Sequence, residues 1–309
     1  MEKLNQTTIL KGYTPEEQLQ SIGEDTKDFS PINYCPNTMI SKDQKKLVVI
    51  ELNYDTEWEE NKKIEKVILL NSVTMIGRNT FRDFTSLQKV VIPNSVKNIR
   101  ERAFENCTSL QKVVIPDSVI EIGSSAFGGC TSLEQIVIPD SVIEIGSNAF
   151  SGCTSLQEIV IPNSVTRILP LTFSNCTSLQ KIVIPNSVKN IRERAFENCT
   201  SLQKIVIPNS VKEIDEAAFG GCTSLEEIVI PDSVTEIGRD AFNGCTSLEE
   251  IVITESVTKI GYCAFGGYKS LTSINIPNSM TNIGYRAFGV CIYNHRTTKT
   301  NQKYPSVNL

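Results

Sequence analysis

Histidine is nearly absent from this chain: in 309 residues there is one, His295, in a polar stretch close to the end. Ser-His-Asp triads and histidine-based zinc sites both need imidazoles set among acids or thiols, so that scarcity excludes them. A basic excess is missing as well. Thirty Lys and Arg stand against 35 Asp and Glu, for a net charge of −5, and nucleic acid is not an expected partner. No run approaches the ~20 apolar residues of a membrane span, so membrane insertion is not expected either. The opening MEKLNQTTILKGYTPEEQLQ holds no apolar core of signal-peptide length, and the chain reads as soluble and cytoplasmic. Cys-x-x-Cys spacing does not occur among the ten cysteines, which leaves no short-range metal or redox motif and no cofactor to expect.

What the sequence does have is a period of 23 residues. Phenylalanine falls at Phe81, Phe104, Phe127, Phe150, Phe173, Phe196, Phe219, Phe242, Phe265 and Phe288, with no insertion or deletion between them. Such a repeat means a solenoid, in which one unit is stacked many times because it cannot bury its apolar face alone. Four segments follow. Residues 1–46 are a polar, partly ordered leader; 47–63, which hold the only tryptophan, Trp58, are an N-terminal cap; 64–293 are ten 23-residue repeats; 294–309 are a polar tail. Residues 89–111 and 181–203 differ only at Val90 against Ile182, which points to block duplication.

Within the unit Leu110 to Ser132, the apolar positions Leu110, Val113, Ile115, Val119, Ile122, Ala126, Phe127 and Cys130 return in nearly every copy and are expected to point inward. The run KVVI alternates like a strand, with Lys112 and Val114 outward, and Pro116-Asp117-Ser118 ends it. SSAFGGC is long enough for a turn or so of helix. The residue two after each phenylalanine is Gly or Asn from Asn106 to Gly267, the types that tolerate a left-handed backbone. Val290 breaks that rule and is expected to distort the last copy. Seven cysteines recur in register from Cys107 to Cys245 and read as small buried hydrophobes with free thiols.

The pattern L-x-x-V/I-x-I-P-x-S-V-x-x-I-G-x-x-A-F-x-x-C resembles the leucine-rich repeat, specifically its BspA-like (treponemal-type) subclass. The resemblance implies an α/β leucine-rich-repeat solenoid with a parallel β-sheet on the concave face and short strands, turns and helical turns on the other sides. It also implies adhesion or protein binding, with surface display or secretion common among members. Departures are Leu169-Pro170-Leu171-Thr172 in place of G-x-x-A, Thr254 in place of proline and Tyr268 in place of cysteine.

No residue reads as catalytic or metal-binding, and the chain is read as no enzyme. Asn-Cys-Thr at Asn106, Asn175 and Asn198 fits a glycosylation acceptor, but each asparagine sits in the turn column and reads as a turn residue. The candidate site is the outward surface of the sheet. Val91, Val114, Val137, Val160, Val183, Val206, Val229 and Val252 would form an apolar stripe roughly 35 to 40 Å long. Beside it runs a charged column that includes Lys89, Lys112, Lys181, Lys204, Glu227 and Glu250, in which Glu158 with Lys181 and Lys204 with Glu227 are placed to pair. Glu226 and Glu249 add to the acidic end, which reads as a solvated face, with attraction of a cation or a basic partner as the alternative. The expected function is non-catalytic binding of a protein or extended peptide; the alternative is a passive structural or spacer array.

Overall fold

The computed structural model describes residues 15–32, 35–49, 63–267 and 273–289. Each coil begins with a three- or four-residue strand, from β4 (Lys66–Leu69) through Lys89–Val91 and Lys112–Val114 to Ser273–Asn275. Alternation sets its facing: in Lys112–Val114 the middle valine is 1% exposed while Lys112 and Val114 face solvent. Strands one repeat apart pair in parallel and in register, as in Lys112 with Gln135 and Val114 with Val137. Together they form the concave sheet. Two-residue strands such as Glu121–Ile122 and Glu144–Ile145 make a second parallel ladder after the proline turn.

The remaining side of the coil is built from turns, with no helix among its described residues. Around Phe104 the N–H groups of Arg102, Phe104 and Asn106 donate to Ser124, Ala126 and Gly128 of the next coil, while those of Ala103, Glu105 and Cys107 donate to Arg100, Arg102 and Phe104 of their own. Every one of these buried donors is thereby satisfied. The Gly and Asn column is left-handed as expected, with φ of 59° at Asn106 and 72° at Gly129. A second left-handed column lies two residues before each phenylalanine, where Arg102, Ser125, Leu171 and Ala217 have φ of 57°, 53°, 59° and 51°. The inter-coil hydrogen bonds made there offset the steric cost of a positive φ.

The core is one continuous set of columns. From Phe104 to Phe288 the rings stack with centroids 5.2 to 5.6 Å apart. The seven thiols are free and buried, and each donates to a phenylalanine carbonyl of the preceding coil, as Cys130 does to Phe104 at 3.2 Å. Burial pushes the Cys176 thiol up to about 12 and raises those of Cys107, Cys153 and Cys199 well above their ordinary value, which keeps these four protonated and unreactive. Asn106 and Asn198 donate to Asp83 at 2.8 Å and Asn175 at 3.0 Å, which gives the asparagines of the sequons a role in the turn.

The concave ladder is interrupted between Gln135–Val137 and Glu158–Val160 and again between Lys181–Val183 and Lys204–Val206. The second ladder breaks once, between Glu144–Ile145 and Arg167–Ile168, next to the departure at Leu169-Pro170. Phenylalanine stacking runs through all of these points.

At the N-terminal end the sheet continues into β1 (Phe29–Ile32), β2 (Cys35–Ser41) and β3 (Lys46–Val49); β1, β2 and β3 are antiparallel, and β3 joins β4 in parallel. Pro31 lies on the outermost strand, where its missing N–H discourages further pairing. Helix α1 (Pro15–Ser21) completes this covering. These elements begin within the stretch read as a leader. Trp58, Val290 and the tail 294–309 lie outside the described residues.

Candidate functional site: the concave sheet

Seven of the eight valines stand open to solvent: Val114 43%, Val137 61%, Val160 62%, Val183 45%, Val206 70%, Val229 65% and Val252 51% exposed. Val91 is half-buried. Where the ladder is intact they sit side by side, as Val160 with Val183 and Val206 with Val229. Each is held outward because its strand neighbours, such as Ile159 and Ile161, are 2% exposed and anchored in the core. Solvation of a β-branched side chain on a strand is tolerated for its backbone preference, and the same side chains, recurring once in each coil, also line up as an apolar stripe.

The charged column lies two residues before the valines along each strand. Lys89, Lys112, Lys181, Lys204 and Glu227 are exposed, and Glu250 continues the column in register with Glu227. Of the two expected ion pairs, Lys204–Glu227 forms, at 2.5 Å. Glu158 and Lys181 are in register without an ion pair among the described residues. Like charges also face each other: Lys66 with Lys89, Lys89 with Lys112, and Glu227 with Glu250.

One part of this surface was hidden from sequence reasoning. Ile68, the counterpart of the valines in the first repeat, is 1% exposed because Leu19 of α1 and Phe29 of β1 cover it, together with Val48, Leu70 and Met39. In the charged column, Glu24 reaches Lys46 at 2.9 Å and also pairs with Lys66. Burial alone would raise the Glu24 carboxyl, but hydrogen bonds from Lys66 and Lys46 outweigh it and hold it below its ordinary value. The chain thus occupies the start of both columns with its own apolar and acidic groups.

Other exposed apolar groups lie off this face. Ile120 and Ile143, 45% and 62% exposed, follow the proline turn. Tyr262 and Tyr285 stack at 6.1 Å in the turns, with Arg239 and Arg286 each 5.3 Å from a ring. Their signal in the sequence is a column three residues before phenylalanine that turns aromatic only in the last two copies.

This chain belongs to the BspA-type leucine-rich repeat family. The six-copy model of that repeat region matches residues 55–180 and again 170–295. Members of the family are typically protein-binding or surface proteins. Among solved structures, a leucine-rich repeat protein from Bacteroides ovatus is 26% identical, with 85% of this chain and 90% of that one covered and a TM-score of 0.43. A leucine rich cell surface protein from Faecalibacterium prausnitzii is 25% identical, with 84% and 94% covered and a TM-score of 0.38. The pneumococcal vaccine antigen PcpA is 17% identical, with 83% and 77% covered and a TM-score of 0.53, a likeness of fold alone. No curated protein matches the chain in sequence. Among the described residues no helix is long and apolar enough to cross a membrane.

Proposed function

We propose that this protein is a binding module that holds a protein or extended peptide across its concave sheet, with the valines supplying area and the charged column supplying register. The observation that carries this reading is the line of exposed valines from Val114 to Val252, bordered by a charged column on the same strands. Apolar area framed by polar and charged groups is the anatomy of a binding surface. The cap gives an internal precedent, since Leu19 and Phe29 bury Ile68 in that same outward column.

The test is to change Val160, Val183 and Val206 together to threonine, which keeps the β-branch and hence the strand, and to compare capture with wild type and with a control altered at Lys189 and Lys212, exposed residues that precede the two-residue strands and lie off the concave ladder. Capture lost only in the valine variant, at unchanged melting temperature, supports the concave site. Equal capture by a natively folded triple variant moves the site elsewhere. No valine-dependent capture from any source favours the spacer reading.

A further inference from the structure

We propose that Lys89 and Lys112, with Val91 and Val114 beside them, take an acidic segment of a partner protein, in which one carboxylate bridges the two lysines and a leucine or phenylalanine close by covers the valines; this rests on the concave sheet being the binding surface. Both outward columns begin in the cap. One runs Lys46, Lys66, Lys89, Lys112, in register from strand to strand, and the other starts Val48, Ile68, Val91 in the same way, with Val114 on the next strand. The chain covers the first two members of each column and leaves the next two open.

How it covers them shows what fits. Glu24 spans Lys46 and Lys66, with one carboxylate oxygen on each, while Leu19 and Phe29 pack over Val48 and Ile68. Ile68 is 1% exposed; one step along, Val91 is half-buried, and beyond it Val114 is 43% exposed. In-register strands hold successive lysines ~4.8 Å apart, so the spacing that lets one carboxylate reach both Lys46 and Lys66 recurs between Lys89 and Lys112. The open site is continuous with a contact that the chain already makes and repeats its chemistry.

Charge singles out the same two lysines. Further along the column Lys181 is in register with Glu158, and Lys204 pairs with Glu227. Lys89 instead stands between Lys66 and Lys112, and Lys112 between Lys89 and Gln135. The residues before them, Gln88 and Gln111, are neutral, whereas Glu65 before Lys66 pairs with Lys45. Neither Lys89 nor Lys112 has an ion pair among the described residues. Like charges directly opposite on a sheet destabilise it. The chain relieves this at Lys46 and Lys66 with its own Glu24, and an incoming carboxylate does so at Lys89 and Lys112. The adjoining apolar column makes the ligand a polypeptide instead of a small anion, because only a chain brings an apolar side chain and an acid together.

Selection of phage-displayed random short peptides on the immobilised full chain tests this, with the selected peptides then synthesised and measured by fluorescence anisotropy. They are expected to carry an Asp or Glu close in sequence to a Leu or Phe, as Glu24 is to Leu19. Binding should weaken about tenfold in Lys89→Gln/Lys112→Gln and return in Lys89→Arg/Lys112→Arg, which keeps both charges. The glutamine variant loses only a repulsion, so its melting temperature should equal or exceed that of wild type. A library that yields no binder, selected peptides without acids, or binding indifferent to the lysine variants overturns the acidic partner. If peptides of that last kind still lose binding with Val160, Val183 and Val206 as threonine, the concave face stands with a partner of other chemistry. A melting temperature that falls in the glutamine variant gives the two lysines to an acid of this chain and overturns the proposal as well.

Discussion

Phe150 and Phe288 have the same chemistry and different surroundings. Phe150 is fully buried between Phe127 and Phe173, both 5.6 Å away, whereas Phe288 stacks on Phe265 at 5.4 Å as the last described ring of the column. Replacing Phe150 by alanine is expected to cost ~3 to 5 kcal/mol in chemical denaturation, because rigid neighbours on both sides cannot collapse into the space. Phe288→Ala is expected to cost much less, and equal penalties would argue against the stacked column. The inward residues were legible in the sequence because burial repeats the same residue types every 23 positions. The left-handed site at Asn106 and Gly129 was legible for a similar reason, since only Gly and Asn recur there. Its counterpart at Arg102, Ser125, Leu171 and Ala217 was not. No residue type marks that position, because what holds it is a backbone hydrogen bond to the next coil, such as Leu171 N–H to Glu193, and the backbone leaves no trace in side-chain identity.

At the scale of elements, the repeating strands could be read from KVVI and its proline, and a cap was expected at 47–63, but the helix and strands that begin within the stretch read as a leader could not. They occur once, so no periodicity announces them, and a seven-residue helix is too short to show a pattern. Beyond the pairing of β3 with β4, the cap's outer elements are fastened to the concave face by Leu19 over Ile68 and by Glu24, which pairs with Lys66 as well as with Lys46. The valine stripe and its charged border were therefore legible as outward columns, while the coverage of their first members was a tertiary fact. Glu24→Gln keeps the shape of the side chain and removes its charge, and is expected to destabilise the protein by about 1 to 2 kcal/mol at pH 7. The carboxyl of Glu24 is held below its ordinary value in the folded state. Its contribution is therefore complete above the unfolded-state pKa and is lost as pH falls through the folded-state pKa. Urea denaturation across that range should show the gap between wild type and variant closing on acidification. A gap that stays constant at low pH would mean that the charge is not what fastens the cap.

For the whole molecule, stability in a stack is the sum of each coil and its contacts with two neighbours, so removing one complete coil should leave a sound protein. Deletion of Leu110 to Ser132 is the sharpest case, because the new junction can be checked position by position. Asn106 would then meet Gly152 in place of Gly129. Glycine fits there without displacing a neighbour: a Cβ at Gly129 would lie 2.3 Å from the side-chain oxygen of Asn106. Arg100 would meet Gly146 in place of Gly123, and a Cβ at Gly123 would come within 2.6 Å of the Glu101 backbone nitrogen. Both tight positions receive the same residue type that they lost. Phe104 would stack on Phe150, Cys153 would reach the carbonyl of Phe104, and every inward column would remain in phase. Denaturation is expected to stay cooperative, with an m-value lower by about a tenth, in proportion to the surface removed. Deleting only Leu110 to Ile120 removes nearly half a coil. That change sets the strand of one coil against the turn of the next and places charged residues in apolar columns, so the cooperative transition should be lost. If both deletions unfold alike, the coils are not the interchangeable units that their stacking describes.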